Sequence, residues 1–544
     1  MTSTTDVLVI GGGATGAGVL RDLARRGLRG LLVERGDPGS GTSGRYHGLL
    51  HSGARYVVSD PLAARECAVE NEILRRIAPR TIEDTRGWYV QAPGDPDAYT
   101  AGFAAACAAA GVPCEERPVG EVLAHEPALD PDLQRAFAVR DAALEPWELI
   151  EANLADAIAH GAEVRRYTSV VAVERAGRRI LSVTLADERS GSTGRVVPRL
   201  VVSAAGAWAG RVAALAGVRL QILPGRGTML VFAERLSDAV INRCHPPGDG
   251  DLMVPVHTVS ILGTTDVQVS DPDDTTVERA EVAALLDEGE RLFPALRERR
   301  LLRAYAGVRP LYEPPAEDDD GAGDGASPGG RMIRRSHVVI DHAARDGVDD
   351  LVSIVGGKLT TYRLMAEQTV DLVMRKLGTS ARCTTADEAL PGQEPARHHW
   401  LGARLAAHEA AGGGDADLIC ECELVTRPEL DAFLDARWPC SLDDVRRGTR
   451  LGMGPCQGGF CTFRAAGVLA DREARRGASP EAVAGLAATA AEAFLEERLK
   501  GLRAVAWGRQ LQEALLTDGL YHGVLGLPRS PAVDTSPETP DAVG

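Results

Sequence analysis

The apolar positions change rhythm sharply at the start of the chain. Val7 to Ile10 is an unbroken apolar run, the form of a parallel strand buried on both faces. From about Ala14 to Arg26 the apolar residues fall instead on one helical face, and Gly27 closes that helix. "GLLVE" at 30–34 then reads as a second strand. Strand, helix and strand in such a short stretch predict a βαβ unit. Two later runs have related forms. "RLVVSAAGAWAG" (199–210) is a strand ending in small residues. "VSIVGGKLTTYRLMAEQTVDLVM" (352–374) is a strand ending at Gly356–Gly357, followed by a helix from near Thr360. Residues 465–515 read as alanine-rich helices. No internal repeat is visible.

The loop of the βαβ unit gives it a chemistry. Gly11, Gly13 and Gly16 form G-x-G-x-x-G between strand and helix. Gly11 permits the tight turn, Gly13 a close backbone approach to a pyrophosphate, and Gly16 close helix–strand packing. Ala14 and Thr15 then open a helix whose N-terminus faces phosphate charge. Glu34 ends the second strand, where a carboxylate binds ribose hydroxyls, and Arg35 follows it. The choice between FAD and a nicotinamide rests on "GDPGSGTSGRYHGLLHSGARY" (36–56). This long glycine- and serine-rich segment replaces the next strand–helix unit expected of a plain nicotinamide domain. It offers Thr42, Ser43, His47, Gly48 and Leu50 to a cofactor. Ala205 and Gly206 suit a backbone packed against a diphosphate or ring. Gly356, Gly357, Lys358, Leu359 and Thr360 put a helix start beside the flavin edge, where reduction builds negative charge. These features favour FAD.

Composition narrows the partners. The chain has 544 residues, 44% hydrophobic and 25% charged, as in a soluble globular protein of several units. A formal charge of −17 argues against broad nucleic-acid binding. It leaves room for a small cationic pocket. No apolar run is long enough to span a bilayer and no charged leader is seen, so a cytoplasmic location is expected. Only three lysines occur, at 358, 376 and 500, which draws attention to Lys358.

Two groups of residues suggest a reaction. His51, Arg55 and Tyr56 lie together in "HGLLHSGARY". A histidine titrates near neutrality and suits a general base for a hydroxyl proton. A guanidinium binds phosphate through paired hydrogen bonds. Arg309 precedes Pro310 in "RAYAGVRPLY", which disfavours helix and predicts a strand end or turn. The second group is four thiols, Cys420-x-Cys422 and Cys456-x4-Cys461. A disulfide is disfavoured in the cytosol, and zinc ribbons prefer C-x2-C. The C-x-C pair and the glycines around Cys456 and Cys461 fit tight backbone wrapping of an iron–sulfur cluster better. Zinc or no metal stay open. Cys440 and the cysteines at 67, 107, 114, 244 and 383 lack paired spacing and read as bystanders or core residues.

The motifs "GGGATGAG", "GTSGRYHGLLHSGARY", "INRCHPP", "ILGTTD", "RAYAGVRPLY", "GGKLTTYRLMAE", "CTTADEALPG", "ICECELVTR" and "GPCQGGFC" occur in this order. In this the chain resembles the anaerobic glycerol-3-phosphate dehydrogenase A-subunit family over roughly residues 5–465. More widely it is similar to the D-amino-acid-oxidase-like flavoproteins. The cysteine spacing resembles the [2Fe–2S] domain of bacterioferritin-associated ferredoxins. The resemblance implies FAD, oxidation of sn-glycerol 3-phosphate to dihydroxyacetone phosphate, and electron transfer through the cluster to a partner or quinone. It implies that His51 acts at the substrate and that Arg55, Tyr56, Arg309 and Lys358 bind it. It also implies partner subunits, one of them a membrane anchor, so a peripheral membrane location through that partner is expected.

The expected fold is α/β plus α. It is a Rossmann-type FAD-binding domain with an interleaved α+β substrate domain, a small [2Fe–2S]-binding domain and C-terminal helices. The oxidoreductase domain takes 1–390, with flavin elements near 1–90, 145–215 and 335–378. Its substrate cap is mainly 216–334, with a contribution near 91–144. A linker (391–416), a cluster domain (417–464), a helical region (465–526) and a disordered tail (527–544) follow. The acidic, glycine- and proline-rich stretch 313–331 is expected to be a mobile insertion. Two rivals stand beside this reading: a flavin amino-acid or sarcosine-type dehydrogenase, and a non-catalytic flavin and cluster relay.

Overall fold

A computed structural model describes residues 2–312, 336–393, 400–414 and 417–527. The acidic insertion and all but the first residue of the expected tail lie outside the described residues. The chain divides into two compact units. One runs to Ala403, interrupted only by Arg300–Arg303; the other comprises those four residues and the chain from Arg404.

The first unit is built on two large sheets, with a small three-stranded one of Leu49–Leu50, Ala142–Leu144 and Ile82–Glu83. In the first, the N-terminal strand Thr2–Ile10 is central. It pairs in parallel with Gly30–Val33 on one side and Thr193–Ser203 on the other. Glu163–Arg165 extends the sheet beyond Gly30–Val33, and Leu351–Gly356 pairs in parallel with Thr193–Ser203. Three antiparallel strands, Thr168–Ala176, Arg179–Asp187 and His337–Asp341, complete it. The expected α/β fold with an interleaved second domain is present.

Helices Ala14–Arg25, Pro146–Ala159 and Tyr362–Leu377 share one hydrophobic core with this sheet. Polar ties fix their register. Arg21 Nε meets Asp156 Oδ2 at 2.6 Å with both side chains buried, and Asn153 Nδ2 donates to the Tyr362 hydroxyl at 3.0 Å. Helix Ala209–Leu215 belongs to a second core with the strands at 179–187 and 351–356.

The second sheet has nine strands, drawn from 87–139 and 223–311. Its centre is antiparallel: Leu223–Phe232 pairs with Val259–Gly263, which pairs with Leu252–Val256. Among the described residues Leu301–Leu311 pairs only with Leu223–Phe232. Arg309 and Pro310 are two of its last three residues, so the expected strand end is found there. An edge strand tolerates proline, and the residue before it favours extended backbone.

The glycine loop shows why its residue types are required. Gly11 has φ +109°, and a Cβ there would lie 2.6 Å from the Ala204 carbonyl oxygen. A Cβ on Gly16 would lie 1.9 Å from the Gly11 carbonyl oxygen. Both obstacles are backbone and cannot turn away. Gly16→Ala is therefore expected to yield protein without flavin, measured as flavin absorbance per mole of chain. A Cβ on Gly13 would lie 3.1 Å from the Ser43 hydroxyl.

The main part of the second unit starts within helix Leu401–Ala410, inside the stretch expected to be linker. A short hairpin, Leu418–Cys420 with Val425–Thr426, follows. Helices Arg427–Arg437 and Leu442–Thr449 each start at a capping box, Thr426 with Glu429 and Ser441 with Asp444. Helices Cys461–Arg475, Pro480–Leu499 and Gly508–Asp518 complete the unit. Its core gathers Leu430, Leu434, Val445, Leu469 and Phe494.

Candidate functional site

The nucleotide cradle forms where the first strand, its helix and the end of Thr193–Ser203 meet. Helix Ala14–Arg25 has no side-chain cap on Gly13, so its first N–H groups are not claimed by a capping residue. Ser43 reaches this end and accepts from Ala14 N at 3.1 Å. The Glu34 carboxylate accepts from Gly12 N at 2.6 Å and from Gly36 N at 2.8 Å. Burial pushes its pKa up, and these two bonds oppose the shift. Ala205 lies against Gly11, and Gly206 has φ +53°. Thr42 donates to the Val308 carbonyl at 2.6 Å, tying the cofactor loop to the substrate sheet. Two further residues named for the cofactor have these surroundings. Arg35 stacks over Trp208 at 5.0 Å and pairs with Asp273 at 3.3 Å, on an exposed rim. The Leu50 side chain is buried in the hydrophobic core.

Beside the cradle are two neighbouring cavities of about 80 and 140 Å³. Both are lined by Thr42, Tyr46, His47, His51, Tyr56 and Arg309. Arg45 and Arg55 line the first; Gly356–Thr360, with Lys358, line the second. The structure thus gathers every residue named for the pocket. His51 is held by its backbone. Its N–H donates to Thr360 Oγ1 at 3.1 Å, and its carbonyl accepts from Asn71 Nδ2 at 3.0 Å. The next N–H, of Ser52, donates to the buried Asp141 at 2.6 Å. The imidazole lies 5.4 Å from the Tyr56 ring and 6.1 Å from that of His47. Lys358 Nζ sits over the Tyr56 ring at 4.4 Å. His47 Nδ1 accepts from Leu49 N at 3.2 Å.

The arginines have partners that sequence reading missed. Arg55 Nη2 donates to both oxygens of Asp251, at 2.9 and 3.0 Å. Burial pushes the Asp251 carboxyl up, but Arg55, His245 and the Gly248 N–H outweigh it and hold the group below the ordinary range. Arg309 Nη1 donates to Asp266 at 3.0 Å, and Nη2 donates to the Thr265 carbonyl at 3.0 Å and to the Thr264 hydroxyl. Gly227 makes room for this guanidinium: a Cβ there would lie 2.5 Å from Arg309 Nη2. Asp251 lies just beyond "INRCHPP", and Asp266 closes "ILGTTD". An acidic residue beside such a motif is the signal that was available. With both carboxylates counted, cationic groups still outnumber anionic ones around the cavities.

The second unit brings Cys420, Cys422, Cys456 and Cys461 together. The Cys420 thiol hydrogen-bonds with those of Cys422 and Cys461, and the Cys456 thiol with the same two. The four form a closed ring of neighbours. Those bonds hold Cys420 and Cys456 well below the ordinary thiol range and push Cys422 and Cys461 up. Backbone N–H groups of Gly452 and Glu423 reach Cys420; those of Phe460 and Gly458 reach Cys456. Gly454 is required by space, because a Cβ there would lie 2.4 Å from Cys422 Cβ. As they stand, no group of His, Cys, Asp or Glu among the described residues is set to hold a metal ion outright. Cys440 packs at the edge of the core, outside the ring. Cys67, Cys107 and Cys244 are buried, as core residues should be; Cys107 also meets the Cys114 thiol.

A dinucleotide cradle on a parallel sheet, with a second sheet closing a polar pocket beside it, defines a flavin-dependent oxidoreductase. Comparison with known proteins agrees. The FAD dependent oxidoreductase family model matches residues 6–363. The chain is 42% identical to the anaerobic glycerol-3-phosphate dehydrogenase A-subunit of Escherichia coli (strain K12), over 96% of this chain and 97% of that one. It belongs to the FAD dependent oxidoreductase family and, within it, to the family of those A-subunits. Two solved structures share the fold. The glycerol-3-phosphate dehydrogenase from Bacillus halodurans complexed with FAD gives a TM-score of 0.52 at 21% identity, covering 96% of this chain and 92% of that one. The glycine oxidase from Geobacillus kaustophilus gives 0.54 at 23%, covering 72% and 99%.

Proposed function

We propose that the chain oxidises sn-glycerol 3-phosphate to dihydroxyacetone phosphate, with FAD as hydride acceptor. The carrying observation is the cation-rich cavity around His51, closed by Arg309 on one side and Lys358 on the other. The family supports it: the relative's name states this substrate. The fold alone does not decide, since a glycine oxidase shares it.

The residues divide the work. Gly11, Gly13, Gly16 and the helix start would hold the FAD diphosphate, and Glu34 its ribose. Bound FAD supplies the acceptor for the hydride leaving C2. Arg309, Lys358 and Arg55 bind the phosphate; with Arg45 on the same lining and Asp251 and Asp266 set against them, an excess of two positive charges remains, which matches a dianion. His51 takes the 2-hydroxyl proton, its backbone held by Thr360 and Asn71 and that of the next residue, Ser52, by Asp141. Asp251 and Asp266 orient the two arginines rather than touch substrate.

The four ringed thiols would hold a [2Fe–2S] cluster. Their proximity and the N–H groups aimed at sulfur support this. Such a cluster supplies a one-electron carrier. The acceptor beyond it is a partner subunit or a quinone. No helix among the described residues is long and apolar enough to cross a membrane, so a membrane location would come through a partner.

The deciding experiment is anaerobic addition of glycerol 3-phosphate to the purified holoenzyme. Flavin absorbance is expected to bleach fast with glycerol 3-phosphate, only slowly with glycerol, and not with glycine or sarcosine. Bleaching by an amine substrate would favour the amino-acid reading, and no bleaching by any would favour a pure relay. A finer prediction concerns Gly227→Ala. Displacing the Arg309 guanidinium is expected to raise KM for glycerol 3-phosphate about ten- to a hundredfold with flavin content unchanged.

A further inference from the structure

The C-terminal unit leaves a large apolar face uncovered beside the ringed thiols. Helix Gly508–Asp518 continues into Gly519–Val524. Its inner side is anchored: Tyr521 is buried, its hydroxyl accepts from Phe463 N at 3.2 Å and donates to the Gly459 carbonyl at 3.1 Å. The other side carries Leu511 and Leu515, then Leu516, Leu520 and Val524, each set four residues apart on a helix. Phe460 and Phe463 flank Cys461 on the loop and helix start to which this segment is tied. Leu515, Leu516, Val524, Phe460 and Phe463 are 59–78% exposed. Clustered exposure of this kind marks an interaction surface.

We propose that this face docks a protein subunit that accepts electrons from the chain. The proposal rests on the reading of the thiols as the electron exit. Its position argues for that partner: an acceptor must approach the thiols closely, and the exposed Phe460 and Phe463 flank Cys461. Charge argues against a bilayer. Helices that lie on membranes carry lysine and arginine along their polar side. Residues 507–527 hold one such cation, Arg509, against Glu513 and Asp518, in a chain of formal charge −17. The chain's own last residues, 528–544, offer only Val533 and Val543 as large apolar side chains, too few to cover the face.

The test uses the tagged full-length chain purified from its own cells, as wild type and as Leu515→Asp/Leu516→Asp/Val524→Asp. Wild type is expected to carry a second polypeptide at fixed stoichiometry whose redox centre is reduced on adding glycerol 3-phosphate. The triple variant is expected to lose that polypeptide by about tenfold or more, while flavin, iron and dye-linked turnover stay at wild-type levels. Phe463→Glu, on the other flank, is expected to do the same. The proposal is overturned if the variants keep the polypeptide and its reduction, or if wild type carries none. It is overturned equally if wild type is a dimer that the variants dissolve, or if it floats with phosphatidylglycerol–phosphatidylethanolamine vesicles and the variants do not. Loss of the polypeptide in an enzyme that contains no iron would uphold the docking face and sink the relay.

Discussion

Arg309→Ala is expected to weaken productive binding of glycerol 3-phosphate by about 2–5 kcal/mol, the range for truncating one partner of a buried charge pair. At 1.36 kcal/mol per decade, kcat/KM should fall by about 30-fold to several thousandfold. The structure gives a reason to expect the upper part of that range. The Asp266 side chain is only 4% exposed and pairs with Arg309 at 3.0 Å. Removing the guanidinium takes away a phosphate ligand and leaves a carboxylate facing the incoming dianion. Arg309→Ala/Asp266→Asn should therefore recover part of the loss. Slow turnover of glycerol, which has no phosphate, should change little in either variant. Equal losses on both substrates would show that Arg309 supports the pocket's shape instead of binding phosphate.

The second large effect is expected at the thiols. Cys456 bonds with two of its three companions, so Cys456→Ser should abolish the site rather than weaken it. Anaerobically purified wild type is expected to contain about two irons and two acid-labile sulfides per chain, as a [2Fe–2S] cluster requires. The variant should contain neither and should keep its FAD. Bleaching of the flavin by substrate should persist, because its pocket is built from the other unit. Electron transfer to the physiological partner should stop, while a small dye still accepts from the flavin. Zinc in the wild type, or unchanged partner reduction in the variant, would make this unit structural.

Much of this was legible in the sequence where the evidence is local. The glycine loop, its helix and Glu34 lie within one short stretch, and each residue type answers a need set by its neighbours. The thiols were readable because two tight pairs carry their own spacing. His51 and Lys358 could be named, but not why they meet. Their link runs from the His51 N–H to Thr360, across 309 positions. Asp251 and Asp266 stayed hidden for the same reason. They lie 196 and 43 residues from the arginines they hold, and an aspartate in a loop reads as solvated unless its partner is known. The protein partners of Arg35 were not legible either, because adjacency to Glu34 says nothing about which way a side chain leaves a strand end; Trp208 and Asp273 decide that. The exposed face at 511–524 has ordinary helical periodicity. The pattern says that one side is apolar, not that it is left uncovered.

The order of strands in the first sheet sets a timetable for synthesis. Thr2–Ile10 is made first and lies at the centre, yet its partner Thr193–Ser203 emerges almost two hundred residues later. That strand waits in turn for Leu351–Gly356. At about 5–20 residues per second, the first strand leaves the ribosome on the order of 10–40 s before its neighbour exists. For that interval "VLVI" is a bare apolar edge, and Gly11 lacks the Ala204 carbonyl it packs against. The nascent chain exposes that edge through this gap, and under the proposed role of residues 204–206 the FAD cradle is unfinished until they are made. The unit from Arg404 onward closes its own core from nearby helices and keeps no such appointment.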